Sequence, residues 1–192
     1  MGPGRLEAFS DGVIAILITI MVLELKVPPS HEPGALLGLG SVFLSYLLSF
    51  LVIAIYWVNH HELFHRCREV NTAVLWTNMA FLFCISLIPF ATAYMGENHF
   101  SAFATALYGG SLLLAGASYV PMRRAVERQL DDDPASRRVS RRAATKNYIS
   151  LTLYAVSMPL AYVHPAITLV LAYAVAALYF VPNAWLGERP HA

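Results

Sequence analysis

The chain has 192 residues, of which 57% are hydrophobic and only 13% charged, with a mean hydropathy of +0.55. Soluble domains carry charge on about a quarter of their residues, so too little polar surface is left here to coat a water-soluble globule. The net charge of +1 marks no acidic or basic partner, and two cysteines, Cys67 and Cys84, give neither a disulfide framework nor a thiolate zinc site.

A helix needs about 20 apolar residues to cross a hydrocarbon core of roughly 30 Å. Six runs approach that requirement, which predicts an all-α, polytopic membrane protein built as one domain over residues 1–192. The first runs from Phe9 to Val27 and is stopped by Pro28 and Pro29. It is too long for a signal-peptide core, carries Asp11 near its start and lacks a small-residue cleavage site, so an uncleaved first span is expected. The second run covers about 36–58, the third about 72–94, and the fourth about 102–120, ended by Pro121. A basic loop at about 121–147 follows. The fifth and sixth runs, about 148–163 and 165–181, are joined so tightly at His164-Pro165 that they predict a hairpin.

Lysine and arginine placement gives the orientation. With the N-terminus inside, the cytoplasmic segments hold Arg5, Arg66, Arg68, Arg189 and the cluster Arg123, Arg124, Arg128, Arg137, Arg138, Arg141, Arg142 and Lys146. Only Lys26 is left outside. Both termini are therefore expected in the cytoplasm and the protein in the plasma membrane. Asp131, Asp132 and Asp133 interrupt the basic cluster, which reads as an inside-positive segment on an anionic leaflet rather than a nucleic-acid surface.

The first run opens Arg5-Leu6-Glu7-Ala8-Phe9-Ser10-Asp11. A carboxylate entering an apolar span is expensive and asks for a partner, although Ser10 or Asp11 also suits a helix cap. At about 100° per residue, Arg5, Phe9, Ile16, Ile20 and Leu23 form one stripe, with Thr19 at its edge and Asp11 facing away. On spacing alone, the first reading of that stripe is helix packing or lipid contact, a pore lining being a rarer use of such a face.

Arg-x-x-x-Phe-Ser-Asp at the opening of the first span, matched by Arg5, Phe9, Ser10 and Asp11, resembles the signature of the transmembrane protein 175 family of potassium channels. Trp57-Val58-Asn59-His60-His61-Glu62-Leu63-Phe64, at the end of the second span, is similar as well, and the size and topology extend the likeness over essentially the whole chain. The resemblance implies a channel without a carbonyl-lined filter, whose first helices surround the pore. Carried over, the constriction comprises Ile16, Ile20 and Leu23, with Thr19 adding a hydroxyl. Arg5, Phe9, Ser10, Asp11, Trp57, His60 and His61 would serve the scaffold. Animal relatives carry two six-span repeats and assemble as dimers, so the single repeat here implies a homotetramer. The permeant partners would be potassium and other monovalent cations. An apolar ring offers an ion no ligands, so passage depends on how cheaply it sheds water, which favours potassium modestly over sodium.

Two other readings compete. His61-Glu62-Leu63-Phe64-His65 spells HExxH, the zinc metalloprotease motif. No clear third ligand accompanies it, because Glu97, His99 and His164 are predicted on the far side. A secondary transporter would want inverted repeats, broken helices and polar groups at mid-membrane, for which Thr19 and a few serines are thin support. No enzyme activity, cofactor or metal is therefore expected.

Overall fold

Hydropathy marks where a helix meets lipid, but backbone hydrogen bonding decides where it starts and stops. The computed structural model describes residues 2–130 and 134–180, the Ala135 side chain excepted. Val181, Arg189, Asp131 to Asp133 and the C-terminal end lie outside the described residues. Helix α1 runs Pro3–Met21, six residues ahead of the apolar run, because Pro3 supplies a preset φ at the first turn and its missing N–H costs nothing there. A 3₁₀ turn, Val22–Glu24, finishes the rod. After a short α2, Pro33–Leu37, helix α3 covers Gly40–Phe64 and so carries the whole Trp57–Phe64 stretch.

The third run is one rod broken at Leu87 into α4, Thr72–Ser86, and α5, Ile88–Glu97. Pro89 is the cause: it has no N–H to donate and its ring crowds the carbonyl four residues back. Asn71 starts the rod by accepting the Val74 amide on its side chain at 2.9 Å. Helix α6 runs Ala102–Glu127 straight through Pro121, which was expected to end it. Arginine, alanine and glutamate are good helix formers, and the i,i+4 pair Arg123–Glu127, at 2.7 Å, reinforces the extension. The basic stretch at 121–147 is likewise not an open loop. Its described residues are the end of α6, a turn at 128–130, and the first half of α7, Pro134–Leu160. Helix α8, Pro165–Phe180, packs back on α7, and His164 Nδ1 accepts the Ala166 amide at 3.2 Å in the turn between them.

No strand occurs among the described residues. Pro3–Glu24, Gly40–Phe64, Thr72–Glu97 and Ala102–Glu127 are each long and apolar enough to cross a membrane, whereas α8 is apolar but shorter. The core runs along α6, which packs on α4, α5, α7 and α8. Tyr56, Phe81 and Tyr119 join three helices there, with Phe81 edge-on to both tyrosines at 5.6 and 5.5 Å. Nearer the other end, the buried Tyr108, Ser49 and Thr92 hydroxyls satisfy one another across α6, α3 and α5, at 3.0 and 2.7 Å.

Without a hydrophobic force between helices in lipid, small residues permit the close approach that packing needs. Gly96 is the tightest case. A Cβ there would stand 2.9 Å from Val42 Cα and 3.1 Å from Ser45 Oγ, so α5 touches α3 backbone to backbone. Gly96→Ala is therefore expected to force the helices apart and cost about 1–3 kcal/mol. Thermal unfolding of the purified protein in detergent checks this, with exposed Gly12→Ala, whose Cβ meets nothing within 4 Å, as the control.

Candidate functional site

Helix α1 has two dissimilar faces. Leu6, Ser10, Ile14, Leu17 and Met21 are buried against the rest of the chain. The other face is turned away from it: Phe9 is 54% exposed, Ile16 60%, Ile20 41% and Leu23 71%, with Arg5 and Thr19 also exposed. Leu23 lies in the 3₁₀ turn rather than in α-helix. At roughly 120° per residue there, its direction moves by about 40°, which leaves it between Ile16 and Ile20. Thr19 Oγ lies 3.1 Å from the Ala15 carbonyl and 2.9 Å from that of Ile16. Its proton is thereby engaged on its own helix, and an oxygen lone pair remains for the exposed side.

The rotation of α1 is set by a polar chain through the core. His60 on α3, Asn78 on α4 and Ser10 on α1 are all fully buried. Asn78 Nδ2 donates to Ser10 Oγ at 2.9 Å, and Ser10 in turn donates to the Leu6 carbonyl at 2.8 Å. That leaves Asn78 Oδ1 as the acceptor facing His60 Nε2 at 2.9 Å, so Nε2 carries the proton. The imidazole stacks on Phe64, ring centroids 4.3 Å apart, and lies parallel to Phe81 at 6.0 Å. Its Nδ1 is buried with no hydrogen-bond partner.

A second set of contacts fastens the flank of α1 to α3. Trp57 Nε1 donates to Asp11 Oδ1 at 3.0 Å. His61 Nδ1 lies 2.8 Å from Glu7 Oε1, an ion-pair distance without the alignment of a hydrogen bond. The Trp57 and His61 rings stack at 5.8 Å. Of the signature residues, Ser10, Asp11, Trp57, His60 and His61 thus meet at one end of the α1–α3–α4 bundle. Arg5 and Phe9 do not join them and lie on the exposed stripe.

Glu7 and Asn78 complete these contacts, and the sequence reading singled out neither. For Asn78 a signal was present, because an amide in the middle of an apolar run needs a buried partner. Glu7 precedes the apolar run that begins at Phe9, but the helix already includes it. Around the HExxH segment, the His61 and His65 rings lie 4.7 Å apart. Among the described residues, no three His, Cys, Asp or Glu side chains form a group able to hold a metal ion.

Comparison with known proteins defines the class first: an all-helical membrane channel fold. The crystal structure of a lysosomal potassium-selective channel TMEM175 homolog from Chamaesiphon minutus matches with a TM-score of 0.81 at 28% identity, covering 92% of this chain and 95% of that one. Residues 5–89, which contain the whole polar network, match the family model of the endosomal/lysosomal potassium channel TMEM175. The chain is 38% identical over 183 residues to a potassium channel of Chryseobacterium sp. (strain P1-3), covering 95% of each. It is 33% identical over 99 residues to the human endosomal/lysosomal proton channel TMEM175, which covers 45% of this chain but 20% of the human protein. The chain belongs to the TMEM175 family.

Asn78→Ala should leave the buried His60 and Ser10 groups without their partner, at about 1–3 kcal/mol for each group stranded. The expected result is a lower melting temperature in detergent. Arg5→Ala, on the exposed face, should leave the melting temperature of the protomer close to wild type.

Proposed function

We propose that the chain is a potassium-preferring monovalent cation channel, assembled as a homotetramer in the plasma membrane, whose α1 helices line the pore. The observation that carries this reading is likeness along nearly the whole length to a potassium channel, 38% identity with 95% of each chain covered. Six crossings put both ends on the cytoplasmic side, together with twelve of the thirteen lysines and arginines. The α7–α8 hairpin supplies the last two crossings, α7 with its arginine-rich half standing in the interface.

The exposed α1 stripe supports placing the constriction on Ile16, Thr19, Ile20 and Leu23. Four copies about an axis form stacked apolar rings about 4–6 Å apart, at 1.5 Å of rise per residue. Such rings conduct when they are wide enough to stay wet and close when they dewet. An ion passing them loses part of its hydration with little in return beyond the Thr19 oxygen, which favours the less tightly hydrated potassium. Arg5 and Phe9 continue the same face toward the cytoplasmic mouth. Ser10, Asp11, Trp57, His60 and His61 hold the face in register instead of meeting the ion. Glu24, exposed beyond Leu23, is solvated at the outer mouth.

Ile16→Asn and Leu23→Asn should stabilise water in the rings, raise monovalent conductance and lower the potassium-to-sodium ratio. Ile18→Ala, on the side packed against the core, should leave the ratio unchanged. Planar-bilayer currents in potassium, sodium and a large organic cation decide the matter. A ratio altered by Ile18→Ala alone would move the pore to another face, and saturable counter-flux in place of conductance would favour a transporter.

Native mass measurement in nanodiscs should find four protomers, as a cyclic ring built from one α1 per chain requires. A conducting monomer would remove the central-axis pore.

A further inference from the structure

Between α3 and α7, on the arginine-rich side, lies a cavity of about 360 Å³ with α6 behind it and the end of α8 at one side. That is within the roughly 300–1,000 Å³ range of small-molecule sites, and the ion path along α1 does not use it. Five of its lining residues are charged: Arg66, Arg123 and Lys146 against Glu62 and Glu127. The balance is one positive charge, and two of the three cations, Arg123 and Lys146, are buried.

Arg123 is only 4% exposed. Its Nη1 donates to Glu127 Oε2 at 2.7 Å, while its Nε is buried with no hydrogen-bond partner. Among the described residues, Arg66 donates a 3.3 Å bond to Ser140 on α7. Lys146 is 7% exposed, with its ammonium 5.6 Å from the Tyr179 ring centre. Burial lowers its pKa from the usual lysine range, and Glu62 opposes that shift. The unused Arg123 Nε, a buried guanidinium donor, is costly unless an acceptor approaches it, and an acceptor of several oxygens could reach the neighbouring cations as well. The walls, by contrast, are apolar. Val58 and Val139, on opposite helices, are 45% and 51% exposed.

We propose that this cavity binds the phosphate of an anionic phospholipid headgroup, with Arg66, Arg123 and Lys146 facing the phosphate and the apolar walls flanking the first acyl carbons. Charge and position both favour a lipid source. The arginine-rich half of α7 that borders the cavity is where an anionic leaflet is drawn to the protein. Glu62 and Glu127 limit the site to a singly charged phosphodiester, since a second negative charge would meet their carboxylates.

The test is native mass spectrometry of the purified full-length protein in detergent, titrated with phosphatidylglycerol, with phosphatidylcholine and with inorganic phosphate. Phosphatidylglycerol should bind well ahead of phosphatidylcholine. Arg66→Gln/Lys146→Gln should weaken it about tenfold or more, and Arg66→Gln alone by a smaller factor, as loss of charge-assisted contacts predicts. Arg138→Gln/Arg141→Gln removes the same charge from residues that do not line the cavity and should leave binding near wild type. Melting temperatures verify folding, and if the double variant fails to fold the single one decides. Equal loss in both double variants, or no preference between the lipids, overturns the site. Phosphate binding without phosphatidylglycerol binding overturns the headgroup assignment. Channel flux enters none of these readouts, so failure here leaves the channel reading standing.

Discussion

In hydrocarbon, a polar side chain has no water to fall back on, and stranding it costs several times what one hydrogen bond returns in water. The hydrogen bonds from His60 through Asn78 to Ser10 turn that cost into a positional constraint. They cross three helices, and each group satisfies the next only when α1 sits at one rotation and one height. An apolar interface alone would not be so exacting, since neighbouring rotations of a leucine-rich helix bury similar area. The polar chain makes one of them far cheaper than the rest.

Everything on the other side of α1 inherits that choice. With Ser10 held inward and Asp11 tied to Trp57, the face bearing Ile16, Ile20 and Leu23 is aimed away from the protomer. Polarity and apolarity thus divide the labour on a single helix. The charged and hydroxyl groups fix direction, and the greasy groups on the far face are free to be selected for size. Under the proposed pore lining, a residue that touched both tasks would couple stability to ion preference, and the separation of Arg5 and Phe9 from the buried contacts would keep the two apart.

Much of this was legible beforehand, for a physical reason. Lipid imposes a composition that soluble proteins avoid, so the all-helical membrane class and the approximate rods are plain in the residues. The stripe on α1 is periodic and could be drawn from angles. What was not legible depends on the backbone or on distant partners. Pro121 was expected to end α6 and the basic stretch to be a loop, because hydropathy falls where the lipid ends and not where the helix does. Asn78 was visible as an amide inside an apolar run, but its partners require knowing that α4 lies against both α1 and α3. Pro89 illustrates a similar case: the residue was visible, but a break in a continuous hydrophobic run leaves no trace in hydropathy.

Helix α7 is a single rod of 27 residues, about 40 Å long at 1.5 Å per residue. A hydrocarbon core of about 30 Å cannot contain it, so in a six-span arrangement a turn or two always stands in the headgroup zone. Its sequence grades from arginines at one end to tyrosine and leucine at the other, and membrane thickness decides which turn meets the boundary. A thinner bilayer would release the exposed Arg137, Arg138 and Arg141 toward water, and a thicker one would draw them toward the acyl chains or tilt the rod. In that arrangement the helix would be a depth gauge, converting a mechanical property of the membrane into the degree of hydration of a few cationic side chains.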